Sequence, residues 1–409
     1  MSYFVNLSLF RRNRNFTLLF IGQFLSFIGT MVTSVALPYQ IYMETHSTLM
    51  VGLLSLAQLL PLLVTALIGG VFADRYHRRL LLLVAESSLA MGCLLLMWNA
   101  AQPTPHIWAI FVVATIMSAM NGLHRPALES IVQQIVPKED LPTVSSIGTF
   151  KYSACMIAGP ALGGLLIAYF GVVTTYFFDL LTFIISLIAL LLMWHIPKPQ
   201  GMFQDSTWSA LKKGVQYAMS RQELIGTYVV DFMAMIFGMP TALFPAIALS
   251  FGGPKALGML YAAPAMGALV IAFFSGWTLK VKRYGVAIAI AAMLWGVSII
   301  LFGFSSNFIW ALFFLALAGA FDGISGIFRM TMWNETIPHE LRGRMAGIEM
   351  ISYLSGPKLG DTEAGLVAAA FGITASIVSG GVLCVVTVGM CCYFLPKFWH
   401  YHCDQLKQV

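Results

Sequence analysis

Apolar residues in this chain run in long blocks, and the polar residues collect between them. About twelve blocks reach membrane length, at roughly 16–43, 49–72, 80–100, 106–128, 143–169, 172–195, 223–249, 256–279, 286–304, 307–329, 344–371 and 373–395. A helix needs about 20 apolar residues to cross the hydrocarbon core, so the pattern predicts twelve transmembrane helices. One long polar connection, 196–222, interrupts the series. Within it Trp208, Leu211, Val215 and Tyr217 fall at roughly helical spacing around Lys212 and Lys213, which predicts an amphipathic helix on the membrane surface. The expected division is a six-helix bundle over 1–195, a linker over 196–222, and a second six-helix bundle with a tail over 223–409.

The two halves repeat. Gly159-Pro160-Ala161-Leu162-Gly163 returns as Gly356-Pro357-Lys358-Leu359-Gly360. Asn121-Gly122 pairs with Asp322-Gly323, Pro137 with Pro338, and Gly70 with Gly276. Two copies of six spans start on the same side of the membrane, so they are parallel repeats, an architecture that secondary transporters use with the substrate site at the repeat interface.

Charge sets the orientation. Only 10% of residues are charged against 59% hydrophobic, whereas soluble domains carry about 25% charged residues. The net charge of +6 is not a nucleic-acid footprint, because it is distributed by loop. All but Lys255 and Lys358 of the 23 Lys and Arg fall on one side, Arg329 counted among them. The positive-inside rule then places both termini in the cytoplasm. No cleavable leader is expected, since Arg11, Arg12 and Arg14 lead straight into a full span. The six cysteines show no disulfide or metal spacing and read as packing residues. No cofactor and no metal site is expected.

Gly70-Val71-Phe72-Ala73-Asp74-Arg75-Tyr76-His77-Arg78-Arg79 joins spans two and three. It resembles the loop signature of the major facilitator superfamily, with His77 where that pattern has glycine. The resemblance makes Gly70, Asp74, Arg75, Arg78 and Arg79 a cytoplasmic gate, with Arg344 at the start of span eleven as partner. Gly70 is expected to let neighbouring backbones approach. Gly159, Pro160, Gly163 and Gly164 resemble the C-terminal part of the superfamily's antiporter signature, a proline-bent helix with glycine packing. Pro38 to Thr48, Val51-Gly52-Leu53, Gly69 to Arg79, Leu260 to Ala263 and Gly343-Arg344-x-x-Gly347 resemble, in order, the enterobactin (siderophore) exporter group. Gly22-Gln23 looks more like the macrolide-efflux proteins of the same broader group, and Lys358 to Glu363 departs from the siderophore exporters.

Ionisable groups inside spans are expensive, about 2.5–3.5 kcal/mol each at the bilayer centre, and so are functional candidates. Asp231 in span seven and Asp322 in span ten lie on helices that the resemblance assigns to a central cavity. Both are candidates for substrate contact or protonation. Lys358 and Asp361, three apart, are expected to pair, and Glu363 lacks a local partner. Gln23 is a polar group on span one. Glu86 and Asp179 read as structural hydrogen-bonding groups. Phe16, Phe20, Phe24 and Phe27 form a stripe that reads as packing, and Met233, Met235 and Met239 as core filling or an adaptable wall.

The resemblance implies a multi-pass secondary transporter of the bacterial inner membrane, working as a monomer on a small molecule and on protons. The cargo expected is a siderophore or similar amphiphile leaving the cell. Multidrug or macrolide efflux, and siderophore import by the same fold, are the alternatives. No catalytic residues are expected, since H-E-x-x-H, G-x-S-x-G and P-loop motifs are absent from the sequence.

Overall fold

The computed structural model describes residues 8–194, 215–338 and 342–403, and every long element in it is helical. The hydrocarbon core offers backbone groups no water, so each span must satisfy them internally as a helix. In chain order the helices are α1 (Arg14–Thr45), α2 (Thr48–Arg75), α3 (Arg78–Ala100), α4 (Ile107–Ile135), the bent helix Leu141–Leu191, α7 (Gln222–Ser250), α8 (Pro254–Phe273), α9 (Tyr284–Phe304), α10 (Phe308–Thr336), α11 (Arg342–Phe371) and α12 (Ile373–Phe394). The bent helix comprises two limbs, α5 (141–170) and α6 (172–191), which meet at Gly171.

Length and apolarity alone mark ten of the described helices as membrane spans. The expected twelve are recovered for two physical reasons. Gly171, at φ 78° and ψ 173°, turns one 51-residue helix into two spans. The other addition is α11, which is membrane-length but carries Glu349, Lys358, Asp361 and Glu363 and so fails an apolarity test. Gly372, at φ 92°, makes the corresponding turn between α11 and α12. Positive φ strains any residue with a Cβ, so both copies use glycine at this corner.

The chain divides into two compact units. Unit 1 holds 8–46, 57–194 and 252–259 of the described residues; unit 2 holds 47–56, 215–251, 260–338 and 342–403. The first turns of α2 and of α8 thus fall in a different unit from the rest of their helices. Residues 195–214, which include most of the expected amphipathic linker helix, lie outside the described residues. Its last part, 215–220, is helical, and Ala218 packs with Leu224, Trp333, Ile337 and Met345.

Each unit repeats the same packing. In unit 1, Gly159 and Gly163 of α5 lie against Met31 and Val32 of α1; in unit 2, Gly356 and Gly360 of α11 lie against Met235 of α7. Gly122 of α4 meets Leu62, Thr65 and Ala66 of α2, while Gly323 of α10 meets Ala268 of α8. The sequence repeat is therefore a repeat of helix–helix seams. Gly70 departs from expectation: among the described residues nothing lies within 4 Å of the position its Cβ would take. The close approach belongs to its neighbour Gly69, which faces the Gly122 carbonyl and Leu123 of α4. One step along a helix turns a residue by about 100°, enough to leave the seam.

Asn13 caps α1, its Oδ1 accepting from the Phe16 N–H at 3.0 Å while its amide donates to the Ile135 carbonyl at 2.6 Å. Phe16, Phe20 and Phe24 stack along α1 with Phe10, and Phe27 stacks on Tyr152 of α5. The phenylalanine stripe is packing. Exposed apolar side chains such as Leu60, Trp108, Ile188, Phe273, Ile309 and Phe371 cover the outside of both units, as a lipid-facing surface requires.

Candidate functional site

Unit 2 brings acids from three helices around one guanidinium. Arg329 sits seven residues after Asp322, two turns along the same face of α10. It forms an ion pair with Asp231 of α7 and a longer one, 3.5 Å, with Asp322. The side chains of Arg329 and Asp231 are each 10% exposed, whereas Asp322 is 39% exposed. Glu349 of α11 is close enough to act electrostatically on Arg329 and on the Tyr228 hydroxyl. Tyr228 stacks on Trp333 at 5.1 Å, and the Trp333 indole N–H donates to Thr227 at 2.8 Å. Among the described residues, the buried Arg329 Nε has no hydrogen-bond partner. A buried donor left unpaired costs about 1–3 kcal/mol, so this edge of the guanidinium can take a further acceptor.

Sequence reasoning placed Asp231 and Asp322 among the candidates, and the structure brings them together. Arg329, which the hydropathy pattern puts at the very end of span ten, is an interior residue of α10. The helix continues to Thr336, so Arg329 lies nearly two turns inside its end.

A second polar cluster in unit 2 surrounds Asp361. After Phe237, α7 breaks at Gly238 and Pro240 into a short 3₁₀ turn, Thr241–Leu243, before resuming. The break frees backbone and hydroxyl donors. Asp361 accepts from the Ala242 N–H at 2.9 Å, from Ser55 Oγ at 2.9 Å and from the Thr241 hydroxyl. The expected Lys358 partnership is thus one term among several, with Lys358 acting on Asp361 electrostatically. Glu363 is half-buried and is not drawn into this set. Replacing Asp361 with alanine is expected to destabilise the fold by about 2–3 kcal/mol by stranding these donors. Asparagine, which keeps an acceptor for Ala242, should cost less. Thermal unfolding of the detergent-purified variants reads the difference.

Among the described residues, unit 1 carries two buried carboxylates. Asp179 of α6, fully buried, accepts from Thr33 of α1, from Thr182 at 3.2 Å and from Cys93 of α3 at 3.3 Å. Glu86 of α3, also fully buried, takes hydrogen bonds from the Gln23 amide and pairs with His124 of α4 at 3.2 Å. Gln23 is therefore engaged inside the unit, its amide also reaching Ser186 at 3.4 Å. His124 was not among the sequence candidates, though its place three residues after Asn121 on an apolar helix was the available signal.

The loop motif is partly described. Arg78 donates to the Ser130 carbonyl at 3.0 Å, and Arg79 to the Leu190 and Leu191 carbonyls at 2.8 and 2.7 Å. These arginines complete the open C-terminal carbonyls of α6 and draw α4 in. The side chains of Asp74, Arg75 and Arg344 lie outside the described ones. In α5 the antiporter-like residues Gly159, Pro160, Gly163 and Gly164 are all buried, and Gly164 approaches the Pro254 carbonyl and Gly258 of α8. Past α12 the tail folds back: the Tyr401 hydroxyl donates to Glu335 at 3.2 Å. Burial and that carboxylate hold the phenol well above its ordinary pKa, so it remains a neutral donor.

Twelve membrane-length helices in two units that repeat one packing scheme, with an acid–arginine cluster buried in one of them, define a multi-pass membrane transporter. Residues 19–360 match the model of the Major Facilitator Superfamily. The chain belongs to that superfamily. It is 28% identical over 360 residues to the enterobactin exporter EntS of Salmonella typhi, a match covering 88% of this chain and 87% of that one. EntS of Escherichia coli O1:K1 / APEC matches at the same identity over 88% and 86%. In three dimensions the chain is similar to a POT family transporter in complex with 5-aminolevulinic acid, at TM-score 0.75 and 13% identity over 94% of this chain and 97% of that one. The nucleoside transporter NupG gives TM-score 0.75 at 13% identity, over 94% and 99%. At such identities these structures speak to the fold. The family consists of transporters of small molecules rather than enzymes.

Proposed function

We propose that the protein exports a siderophore or similar small amphiphile across the bacterial inner membrane in exchange for protons, by alternating access. On this reading it acts as a monomer with both termini in the cytoplasm. The observation that carries the reading is the similarity to siderophore exporters across both halves, 88% of the chain.

The Arg329 cluster supplies a working scheme. Arg329 is the cation for an anionic group on the cargo, which displaces Asp231 from the guanidinium and takes the open Nε edge. Asp322, farther from Arg329 and more exposed, is the carboxylate that exchanges a proton with water. A proton moving down 100 mV supplies about 2.3 kcal/mol. The cytoplasmic loop from Gly70 to Arg79, with Arg344, is the gate that closes on one face.

Inside-out vesicles test this with a panel of siderophores and drugs, with and without a pH gradient. Gradient-dependent uptake of one siderophore class is expected. Uptake of many unrelated drugs would instead place the protein with multidrug efflux pumps, and uptake only into right-side-out vesicles would make it an importer. Asp322→Asn should abolish gradient-driven accumulation, at least tenfold, and leave cargo counterflow measurable.

A further inference from the structure

The Glu86 cluster in unit 1 has a composition that hydrogen bonding alone does not explain. Glu86 is fully buried, yet among the described residues its Oε2 has no hydrogen-bond partner, while Oε1 meets both the Gln23 amide and His124 Nε2. A structural carboxylate such as Asp179 has donors on both oxygens. The Nε2–Oε1 hydrogen bond needs a proton on one of its two atoms. A bare carboxylate in this position would be buried with a neutral amide and a neutral ring, which is unfavourable. His124 is 16% exposed and Glu86 not at all, so the imidazole is the edge at which a proton enters.

Among the described residues, His124 is the ionisable partner that Glu86 meets. On α1 the facing group is Gln23, on α6 it is Ser186, and on α4 Arg125 turns outward to Glu129. Asp179, farther along, is occupied by Thr33, Thr182 and Cys93, and Lys151 of α5 acts on Cys155.

We propose that Glu86 and His124 form a proton-binding pair in unit 1, separate from the acids around Arg329. The pair holds one proton in its closed state and gives it up to water when the His124 edge is wetted. Gln23 is a positioning residue that orients Oε1. The proton comes from water on one side of the membrane and returns to water, so no further reactant is needed. This rests on the proton-coupled reading above, and it assigns a second place where the proton is carried.

The test is infrared difference titration of the full-length protein in lipid nanodiscs, with no cargo present. The carboxylic C=O band of a buried acid should appear or vanish with pH in the wild type and persist in Asp179→Asn. It should be lost in Glu86→Gln, which a carboxylate that never exchanges its proton would not cause, and shift its midpoint in His124→Gln, which removes the partner that shares the proton. An unchanged band in Glu86→Gln, or an unmoved midpoint in His124→Gln, overturns the proposal. The same variants in inside-out vesicles with enterobactin as probe separate the two readings. If the wild type shows no gradient-driven uptake but the titration behaves as expected, the export reading fails and the proton site stands.

Discussion

Arg329→Met is expected to abolish transport and to destabilise unit 2. The variant leaves Asp231, 10% exposed, as a buried carboxylate without its counter-charge. Breaking a buried pair by removing one partner costs about 3–5 kcal/mol, which for a protein of ordinary marginal stability is a large share of the total. Asp231→Asn strands the cation instead, but Asp322 remains at 3.5 Å and Glu349 still acts on it, so its cost should be smaller. The informative variant is the double one, Arg329→Met with Asp231→Asn. It removes both charges and is expected to regain most of the lost thermal stability while remaining inactive in the vesicle assay. Recovery of transport together with stability would show that the pair is structural, and the anion-binding role of Arg329 would fall. The contrast between the single and double variants separates folding from function.

How much of this was legible beforehand follows from the range of each interaction. Twelve helices and their twofold repetition were visible because the membrane imposes length and apolarity locally, and because glycine seams recur at fixed positions in both copies. The corner at Gly171 was read as the gap between spans five and six, and Gly372 matches it in the second copy. What the chain does not display locally is pairing. Asp231 and Arg329 belong to different helices, and hydropathy ends span ten at Arg329, whereas the helix continues to Thr336. The same holds for His124, whose meaning depends on Glu86 of another helix. Asp361 is legible only in part. Lys358, three residues away, acts on it as the spacing suggests, but the break in α7 supplies further donors that no spacing rule on α11 reveals. The glycine adjacent to the true seam, Gly70 in place of Gly69, shows the limit of motif reasoning at one-residue resolution.

The seam between α8 and α10 should be the least forgiving place in the protein. A Cβ on Gly267 would fall on the Ala316 carbonyl, and one on Gly319 would fall on the Pro264 carbonyl. Each glycine thus faces backbone on the opposite helix, three residues from the other contact, so neither clash can be relieved by a rotamer change. Overpacking normally costs about 1–3 kcal/mol and more where backbone must shift. Gly267→Val is expected to exceed about 3 kcal/mol and to leave little monodisperse protein after detergent extraction. Gly276→Ala, where nothing among the described residues lies within 4 Å of the new Cβ, should stay within about 0.5 kcal/mol of the wild type. The milder Gly319→Ala carries the functional argument. Asp322 lies one turn beyond Gly319 and Arg329 two turns farther, so pushing α10 outward moves both relative to Asp231 on α7. Gly319→Ala should therefore lose transport out of proportion to its loss of stability, as judged by vesicle uptake against the unfolding temperature. If uptake falls only in step with stability, the close approach serves packing alone and the position of α10 is not what aligns the charged cluster.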